Sequence, residues 1–493
     1  MMHLPVAPVV LPAVLGALMV LAVPRDLRAA RALSLAGMLA MVALAGALLA
    51  LPGPVVYRLG DWPAPFGIVL QVDRLAALML MLTGFLGLAV DLHVIGTGWD
   101  RRGVHFHPLL MFQMMGLNGA FLTGDAFNLF VFFEVMLIAS YGLMTHGGGR
   151  ERLKAGVQYV VVNLAGSAVF LFALGTIYAV TGTLNMADIA LKAAALEHPA
   201  LLRVGAVLLV VVFALKAAAV PLHLWLPATY EQAPGPVAAL FAVMTKVGVY
   251  AILRSLTLMF PQGTGTGDML ALLLRVGGGL TLIVAMVGLW GARDFGRMIA
   301  WAVIASVGTL LIALTTGRPE ATGAGLYYLV HSTLAGAALF LLADLIRARR
   351  RSLVLAPQAA IAQGGLIAAL TMAAAVAAAG MPPFSGFLGK LAILAAMPGD
   401  WGVWVLILAT GILGIAGFAR AGATLFWAAI PESALEPAPA PHPPQPLGFV
   451  AVGLLLAGLV ALTLAAGPAL AWLDATAAAL HAPAPLIRAV LSP

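Results

Sequence analysis

Apolar runs of about 20 residues recur from one end of the chain to the other, and they limit the possible folds more than any other feature. A run of this length forms a helix that crosses the ~30 Å hydrocarbon core of a membrane. The runs leave no room for a soluble domain of ordinary size. Of the 493 residues, 62% are hydrophobic and only 9% are charged. The sequence therefore predicts an all-α polytopic membrane protein.

Glycine, proline and charged residues divide these runs into about 14 predicted transmembrane helices. Their predicted centres lie near residues 14, 41, 84, 115, 136, 168, 212, 246, 281, 306, 335, 372, 414 and 457. If the helices alternate in direction, arginine and lysine concentrate on one face, at 25–31, 101–102, 150–154, 293–297 and 347–351. The positive-inside rule makes this face cytoplasmic, which predicts a bacterial cytoplasmic membrane protein with both termini outside.

A few ionisable residues remain at membrane depth once the predicted loops are set aside. The better placed are Glu134, Lys216, Lys246, His331 and Lys390, and the less certain are His223, Asp344 and Arg420. A charged residue at a helix centre costs about 2.5–3.5 kcal/mol, so several in one bundle require a reason, and function is the usual one. Counted along a helix, Glu134 and Lys246 lie near the midplane, too deep to reach the interface.

Two predicted helices are interrupted by proline, each next to a lysine. The interrupting residues are Pro221 and Pro227 in the first helix, and Pro382 and Pro383 in the second. Proline frees backbone groups that a membrane tolerates only beside protein or water, so we expect water beside Lys216. Broken helices in corresponding places of two halves predict inverted repeats, at about 107–260 and 268–430. Residues 1–106 then form additional N-terminal helices, and 431–493 form a Pro-rich connection and a C-terminal helix.

These buried groups are suited to a proton relay. A buried lysine gains or loses its proton when a neighbouring carboxylate moves, so Glu134 is the expected partner of Lys216. Lys246, His331 and Lys390 would continue a chain of protonatable groups. The alternatives are a structural ion pair between Glu134 and Lys216, a packing role for His331 or His223, and anchoring roles for Asp344 and Arg420 near helix ends.

Other chemistry is poorly supported. The absence of cysteine excludes disulfides, cysteine-ligated iron–sulfur clusters and thiolate catalysis. We find no phosphate-binding loop, zinc spacing or nucleophile motif, so no cofactor is predicted, and no site for a metal ion can be assigned. We interpret His93, His105 and His107 as incidental residues near a loop. The net charge of +7 follows from the one-sided loop charges rather than from nucleic-acid binding.

Four stretches resemble the proton-translocating antiporter-like subunits that multisubunit cation/proton antiporters share with respiratory complex I. They are FFEVMLIASYGLM around Glu134, LKAAAVPLHLWLPATYEQAPGPVAALFAVMTK from Lys216 to Lys246, YYLVHSTLAGAALFLLADLI around His331, and GMPPFSGFLGK ending at Lys390. The resemblance covers most of the chain. It implies 14 helices, two inverted five-helix repeats that each contain a broken helix, and a hydrated axis through these residues.

Within that family, GDAFNLFVFFEVMLIASYGLM, Lys390 and the chain length are most similar to the D-type subunits of Mrp (Pha, Mnh) Na⁺(K⁺)/H⁺ antiporters. This similarity implies a secondary-transport subunit, not an enzyme, that moves protons against Na⁺ or K⁺ together with other membrane subunits. One alternative is a proton-pumping membrane subunit of complex I or a related hydrogenase. A second alternative is a structural or assembly subunit that conducts no ion.

Overall fold

The computed structural model describes residues 3–21, 26–358, 360–428 and 445–492. The predicted Pro-rich connection therefore lies almost entirely outside the described residues. The helices are α1 Ala7–Leu21, α2 Leu27–Leu49, α3 Arg74–Thr97, α4 Phe106–Leu122, α5 Ala126–Thr145, α6 Arg150–Thr181, α7 Met186–Ala194, α8 Ala200–Ala217, α9 Trp225–Gln232, α10 Gly235–Arg254, α11 Gly265–Gly291, α12 Phe295–Leu314, α13 Pro319–Arg350, α14 Gly364–Ala379, α15 Ser385–Ala395, α16 Trp401–Gly422, α17 Pro446–Leu464, α18 Ala466–His481 and α19 Ala484–Leu491.

The helices agree with the predicted fold class. Within the described ranges, eleven helices are long and apolar enough to cross a membrane, and α1, α14 and α15 are shorter apolar helices. Each predicted helix centre falls inside one of the helices. The prediction of a mostly helical polytopic membrane protein is confirmed. The sequence did not predict a short antiparallel hairpin between α2 and α3, in which β1 (Val55–Arg58) pairs with β2 (Val69–Val72).

The two interruptions end their helices in the same way. α8 ends at Ala217, and Ala218 adopts a left-handed conformation with φ 58°. α14 ends at Ala379, and Gly380 adopts the same kind of conformation with φ 81°. A left-handed residue after the last turn lets following N–H groups bond back to the helix carbonyls, so each half-helix is capped within the membrane.

The prolines divide into two groups in the structure. Pro221 lies between α8 and α9, and Pro382 and Pro383 lie between α14 and α15. Pro227 does not lie in an interruption, contrary to the prediction, because it occupies the first turn of α9. N–H groups in a first turn have no acceptor within the helix, so proline is accommodated there without breaking it.

Two helices form the centre of the bundle. The apolar window of α10 and its continuation, Gly235–Met259, is 100% buried, and that of α13 is 94% buried, against 39% for α6 and for α11. Lys246 lies on α10, and His331 and Asp344 lie on α13. These three ionisable residues are buried by neighbouring helices, as their cost at membrane depth requires.

Candidate functional site

The first part of the site joins Glu134 to Lys216 through α6. The Lys216 Nζ donates to Asn163 Oδ1 at 3.0 Å, and the Ser167 hydroxyl donates to the Glu134 carboxylate. Asn163 and Ser167 lie one turn apart on α6. No ion pair joins Glu134 directly to Lys216 in the described parts of the chain. The expected partnership of the two residues is thus mediated by two polar side chains of a third helix.

The end of α8, next to Lys216, is closed by protein groups. Trp225 Nε1 donates to the Leu215 carbonyl at 3.1 Å, and the Val220 N–H donates to Thr281 Oγ1 at 3.0 Å. The Val220 bond satisfies an N–H group in the interruption, and the Trp225 bond adds to the one that the Leu215 carbonyl already accepts from the Ala218 N–H. Water beside Lys216 stays a prediction.

The second lysine lies near the centre of the bundle. Lys246 is 1% exposed, and its Nζ donates to Ser306 Oγ on α12 at 2.6 Å. A small cavity of about 20 Å³ is lined by both Ser306 and His331. This volume is enough for one water molecule, and Ser306 and His331 provide polar partners for it. The cavity therefore offers a route for hydrogen bonding from α12 to α13.

The last part of the site lies at the second interrupted helix. His331 Nδ1 lies 2.9 Å from Ser385 Oγ, at the start of α15. Lys390, also on α15, donates from Nζ to the Ala379 carbonyl at 2.8 Å. That carbonyl belongs to the last residue of α14. Lys390 thus binds a carbonyl group that the interruption frees, and a change in its charge would act directly on the broken helix.

The structure places the five better-placed residues on α5, α8, α10, α13 and α15, but it does not connect them into one continuous chain. Among the described residues, no hydrogen bond joins Lys216 to Lys246, or His331 to either lysine. Proton transfer between these groups therefore requires bridging water or movement of a side chain. The small cavity between Ser306 and His331 has room for such a bridging water molecule.

The three less certain residues lie apart from the others. His223 packs its ring on Trp301, with ring centroids 5.6 Å apart. Asp344 accepts a hydrogen bond from Trp99 Nε1 at 3.0 Å. Arg420 is exposed and donates to the Trp290 carbonyl at 2.8 Å, at the C-terminal end of α11. An arginine is favourable next to the free carbonyls of a helix C-terminus, so the structure gives Arg420 an anchoring contact and does not place it in the relay.

Sequence reasoning missed the neutral partners of the charged groups, which are Asn163, Ser167, Ser306 and Ser385. Asn163 offered a signal, because an amide in an apolar membrane helix usually finds a partner on another helix. The serines offered none. Serine is common in such helices and can bond to its own backbone, as Ser306 does to the Val303 carbonyl at 2.6 Å.

The neutral partner of Lys246 gives a first testable prediction. Replacing Ser306 with alanine removes the bonded group of Lys246 and one polar wall of the small cavity, so we expect the ion exchange that the family resemblance implies to slow roughly tenfold or more. Ser306→Thr keeps the hydroxyl and should retain most of the rate. Exchange measured in vesicles checks both variants, and equal rates for Ser306→Ala and the unchanged protein would contradict this role.

Comparison with known proteins identifies the family of the chain. Residues 123–416 match the family described as NADH:quinone oxidoreductase/Mrp antiporter, TM. The chain is 39% identical to the D-type subunit of a probable K(+)/H(+) antiporter of Rhizobium meliloti, over 99% of this chain and 98% of that one. It is 38% identical to the D-type subunit of the Na(+)/H(+) antiporter of Alkalihalophilus pseudofirmus, over 76% of each chain. A chain of the Mrp complex from Dietzia sp. DQ12-45-1b has the same fold, with a TM-score of 0.89, 27% identity and 99% of both chains covered.

The chain belongs to the NADH:quinone oxidoreductase/Mrp antiporter transmembrane family. Within this family it is similar over most or all of its length to proteins named as D-type antiporter subunits, and the predicted resemblance is confirmed. Those relatives are named as components of secondary transporters rather than as enzymes.

Proposed function

We propose that this chain is the proton-conducting subunit of a multisubunit monovalent cation/proton antiporter, in which inward proton movement drives Na⁺ or K⁺ efflux. The observation that carries the proposal is a set of three amines and one imidazole on adjoining helices, of which Lys216, Lys246 and His331 are buried and Lys390 is partly buried. Among the residues that the structure describes, the hydrogen-bond partner of each is a neutral acceptor or hydroxyl, so a proton can leave without breaking an ion pair.

In this mechanism Glu134 sets the charge of Lys216 from across α6. Its carboxylate is half-buried and held by Ser167, one turn from the Asn163 that binds the amine of Lys216. Rearrangement of these two α6 side chains changes the distance between carboxylate and amine, and with it the stability of the ammonium. A proton released by Lys216 then passes to Lys246 and, through Ser306 and the small cavity, to His331.

Lys390 completes the proposed relay. Protonation strengthens its bond to the Ala379 carbonyl, and loss of the proton weakens it. The position of α15 relative to α14 therefore responds to the proton, which offers a way to couple proton movement to the rest of the complex. The movement of Na⁺ or K⁺ is assigned to the assembled complex as a whole.

The proposed architecture has 14 membrane spans and two inverted five-helix repeats, at 107–260 and 268–430. Two pairs of corresponding helices have equal lengths, with 20 residues in α5 and α12 and 32 in α6 and α13. At the start of α5, Ala126 N–H donates to the Leu184 carbonyl, and at the start of α12, Phe295 N–H donates to the Leu353 carbonyl. Five helices are an odd number, so the second repeat begins on the opposite face and is inverted relative to the first.

Further common features support the two repeats. Each contains one interrupted helix, and the last helix of each ends in a π-helical turn, at Ser255–Met259 and Ala423–Trp427. Segment 1–106 would add three helices before the repeats, and 431–493 would add the connection and the C-terminal helices. The helix count then places both termini on the outer side of a bacterial cytoplasmic membrane.

The proposed partners are the lipid bilayer, other membrane subunits of an Mrp-type complex, protons and Na⁺ or K⁺. Large apolar side chains are exposed on α6 and α11, including Phe172, Tyr178, Leu272 and Val287. Surfaces of this kind require lipid or another membrane subunit against them. The proposal includes no nucleic acid and no bound cofactor.

The experiment that tests this function is collapse of a pH gradient in vesicles that contain the whole complex. We expect added Na⁺ or K⁺ to collapse the gradient, and a comparison of the two ions identifies the substrate. The family description also includes NADH:quinone oxidoreductase, which favours a redox-driven proton pump as the second candidate. Exchange without any electron donor supports the antiporter, whereas proton movement that requires electron transfer overturns it.

A further inference from the structure

A second group of ionisable side chains lies among α2, α3 and α4, outside the proposed relay. Asp91 on α3 is 0% exposed, and His107 on α4 is 2% exposed. His107 Nδ1 lies 3.1 Å from Asp91 Oδ1, and its Nε2 lies 3.2 Å from Asp100 Oδ2. Arg31 on α2 donates to both oxygens of Asp100, at 2.6 and 2.9 Å. Both nitrogens of one buried imidazole therefore contact carboxylates.

Asp100 is a fixed negative charge. Burial alone would raise its pKa, but the hydrogen bonds from His107 and Arg31 lower the pKa of Asp100 below its usual value. An ionised carboxylate accepts hydrogen bonds and cannot donate one, so His107 Nε2 must carry the hydrogen that faces Asp100. In a neutral imidazole the other nitrogen, Nδ1, would then have a lone pair directed at Asp91.

The carboxylate of Asp91 is not stabilised in the way that His107 and Arg31 stabilise Asp100. In the described parts of the chain, neither of its carboxylate oxygens receives a well-aligned hydrogen bond, and its ion-pair contact is with His107 Nδ1. Arg31 and Asp100 cancel each other's charge. A buried carboxylate next to a lone pair is strongly unfavourable, and one added proton removes the conflict, either on Asp91 or on His107 Nδ1.

We propose that Asp91 and His107 form a proton-binding site that holds one proton at neutral pH and releases it in alkaline medium. The groups that face His107 are Asp91 from α3 and Asp100 from the α3–α4 connection, with Arg31 of α2 behind Asp100. Across the Phe106 ring lies His146, at the end of α5. Loss of the proton leaves one uncompensated negative charge in this cluster.

The α3–α4 connection gives this site a mechanical consequence. Trp99, next to Asp100, donates from its indole to Asp344 of α13 at 3.0 Å. The Trp99 carbonyl also accepts a hydrogen bond from His146 at 2.9 Å. The connection thus contacts the ends of helices from both proposed repeats. Repulsion between Asp91 and Asp100 in alkaline medium would loosen it, so transport would acquire a pH dependence that does not come from the relay residues. This last step rests on the proposed function.

Nitrogen-15 NMR of labelled histidine in the intact complex, in lipid vesicles, tests the site without reference to transport. We expect one buried histidine whose Nδ1 shares a proton with a carboxylate at neutral pH, and whose signal disappears in His107→Gln and changes in alkaline medium. A His107 signal that is unchanged between neutral and alkaline pH overturns the proposal. So does a neutral His107 beside an Asp91 that infrared spectroscopy finds ionised at neutral pH.

Asp91→Asn separates the site from simple packing. Asparagine has nearly the same shape and is neutral, so the cluster is balanced without the extra proton. We expect the assembled complex to lose the shared-proton signal and the alkaline change in exchange rate that the unchanged protein shows. An identical pH profile in the two proteins overturns the role in transport. If the unchanged complex exchanges no cation for protons, the proposed function fails, whereas the NMR measurement still decides the proton site.

Discussion

Replacing Lys246 with methionine abolishes cation/proton exchange while the complex remains assembled. Lys246 is 1% exposed, and within the described part of the chain its amine bonds to the neutral hydroxyl of Ser306, so it can accept and release a proton without breaking an ion pair. Methionine fills nearly the same volume and cannot carry a proton. Losing a positioned proton carrier typically costs about 10²–10⁴ in rate, and we expect a loss in this range. The measurement is pH-gradient collapse by Na⁺ or K⁺ in vesicles.

Lys154→Met is the matched control. Lys154 is exposed near the start of α6, and the same substitution there should leave exchange unchanged. Equal amounts of assembled complex, measured by co-purification of the subunits, are required for the comparison. Normal exchange by the Lys246→Met complex would contradict the relay and favour a structural role for this chain.

Much of the site could be predicted from the sequence because charge at membrane depth is costly. That cost identified Lys216, Lys246, His331 and Lys390 without any coordinates, and proline located both interruptions. The same reasoning wrongly placed Pro227 in an interruption, because a proline two residues into a helix and a proline between two helices look alike in sequence.

The neutral contacts could not be predicted in this way. Serine and asparagine cost little in a membrane helix, so the sequence contains no strong signal at Ser167 or Ser306. Which helix separates Glu134 from Lys216 depends on packing between segments distant in the chain. His107 was interpreted as an incidental loop residue, whereas the structure buries it between two carboxylates. Helix ends near the interface are difficult to separate from loops in sequence, which explains that error.

The contact between the first interruption and the central helix provides a prediction on folding and transport together. Gly248 lies on α10, two residues after Lys246, and packs directly on the end of α8. A Cβ at this position would lie 2.6 Å from the Ala217 nitrogen and 2.7 Å from the Phe213 carbonyl oxygen. Both are backbone atoms of α8, so they cannot rotate away as a flexible side chain would. The close approach of α10 to the interrupted helix therefore depends on glycine.

We expect Gly248→Ala to destabilise the assembled complex by about 1–3 kcal/mol, the usual cost of overpacking. Because the added methyl group also moves α10 away from the end of α8, the distance between Lys246 and Lys216 changes, and exchange should fall more than stability alone explains. Gly175→Ala, on α6, is the matched control, since a Cβ there meets no atom within 4 Å. Thermal unfolding of the purified complex and exchange in vesicles measure the two effects. If Gly248→Ala and Gly175→Ala had the same thermal stability and the same exchange rate, the packing of α10 on the interruption would not be needed to align Lys246 with Lys216.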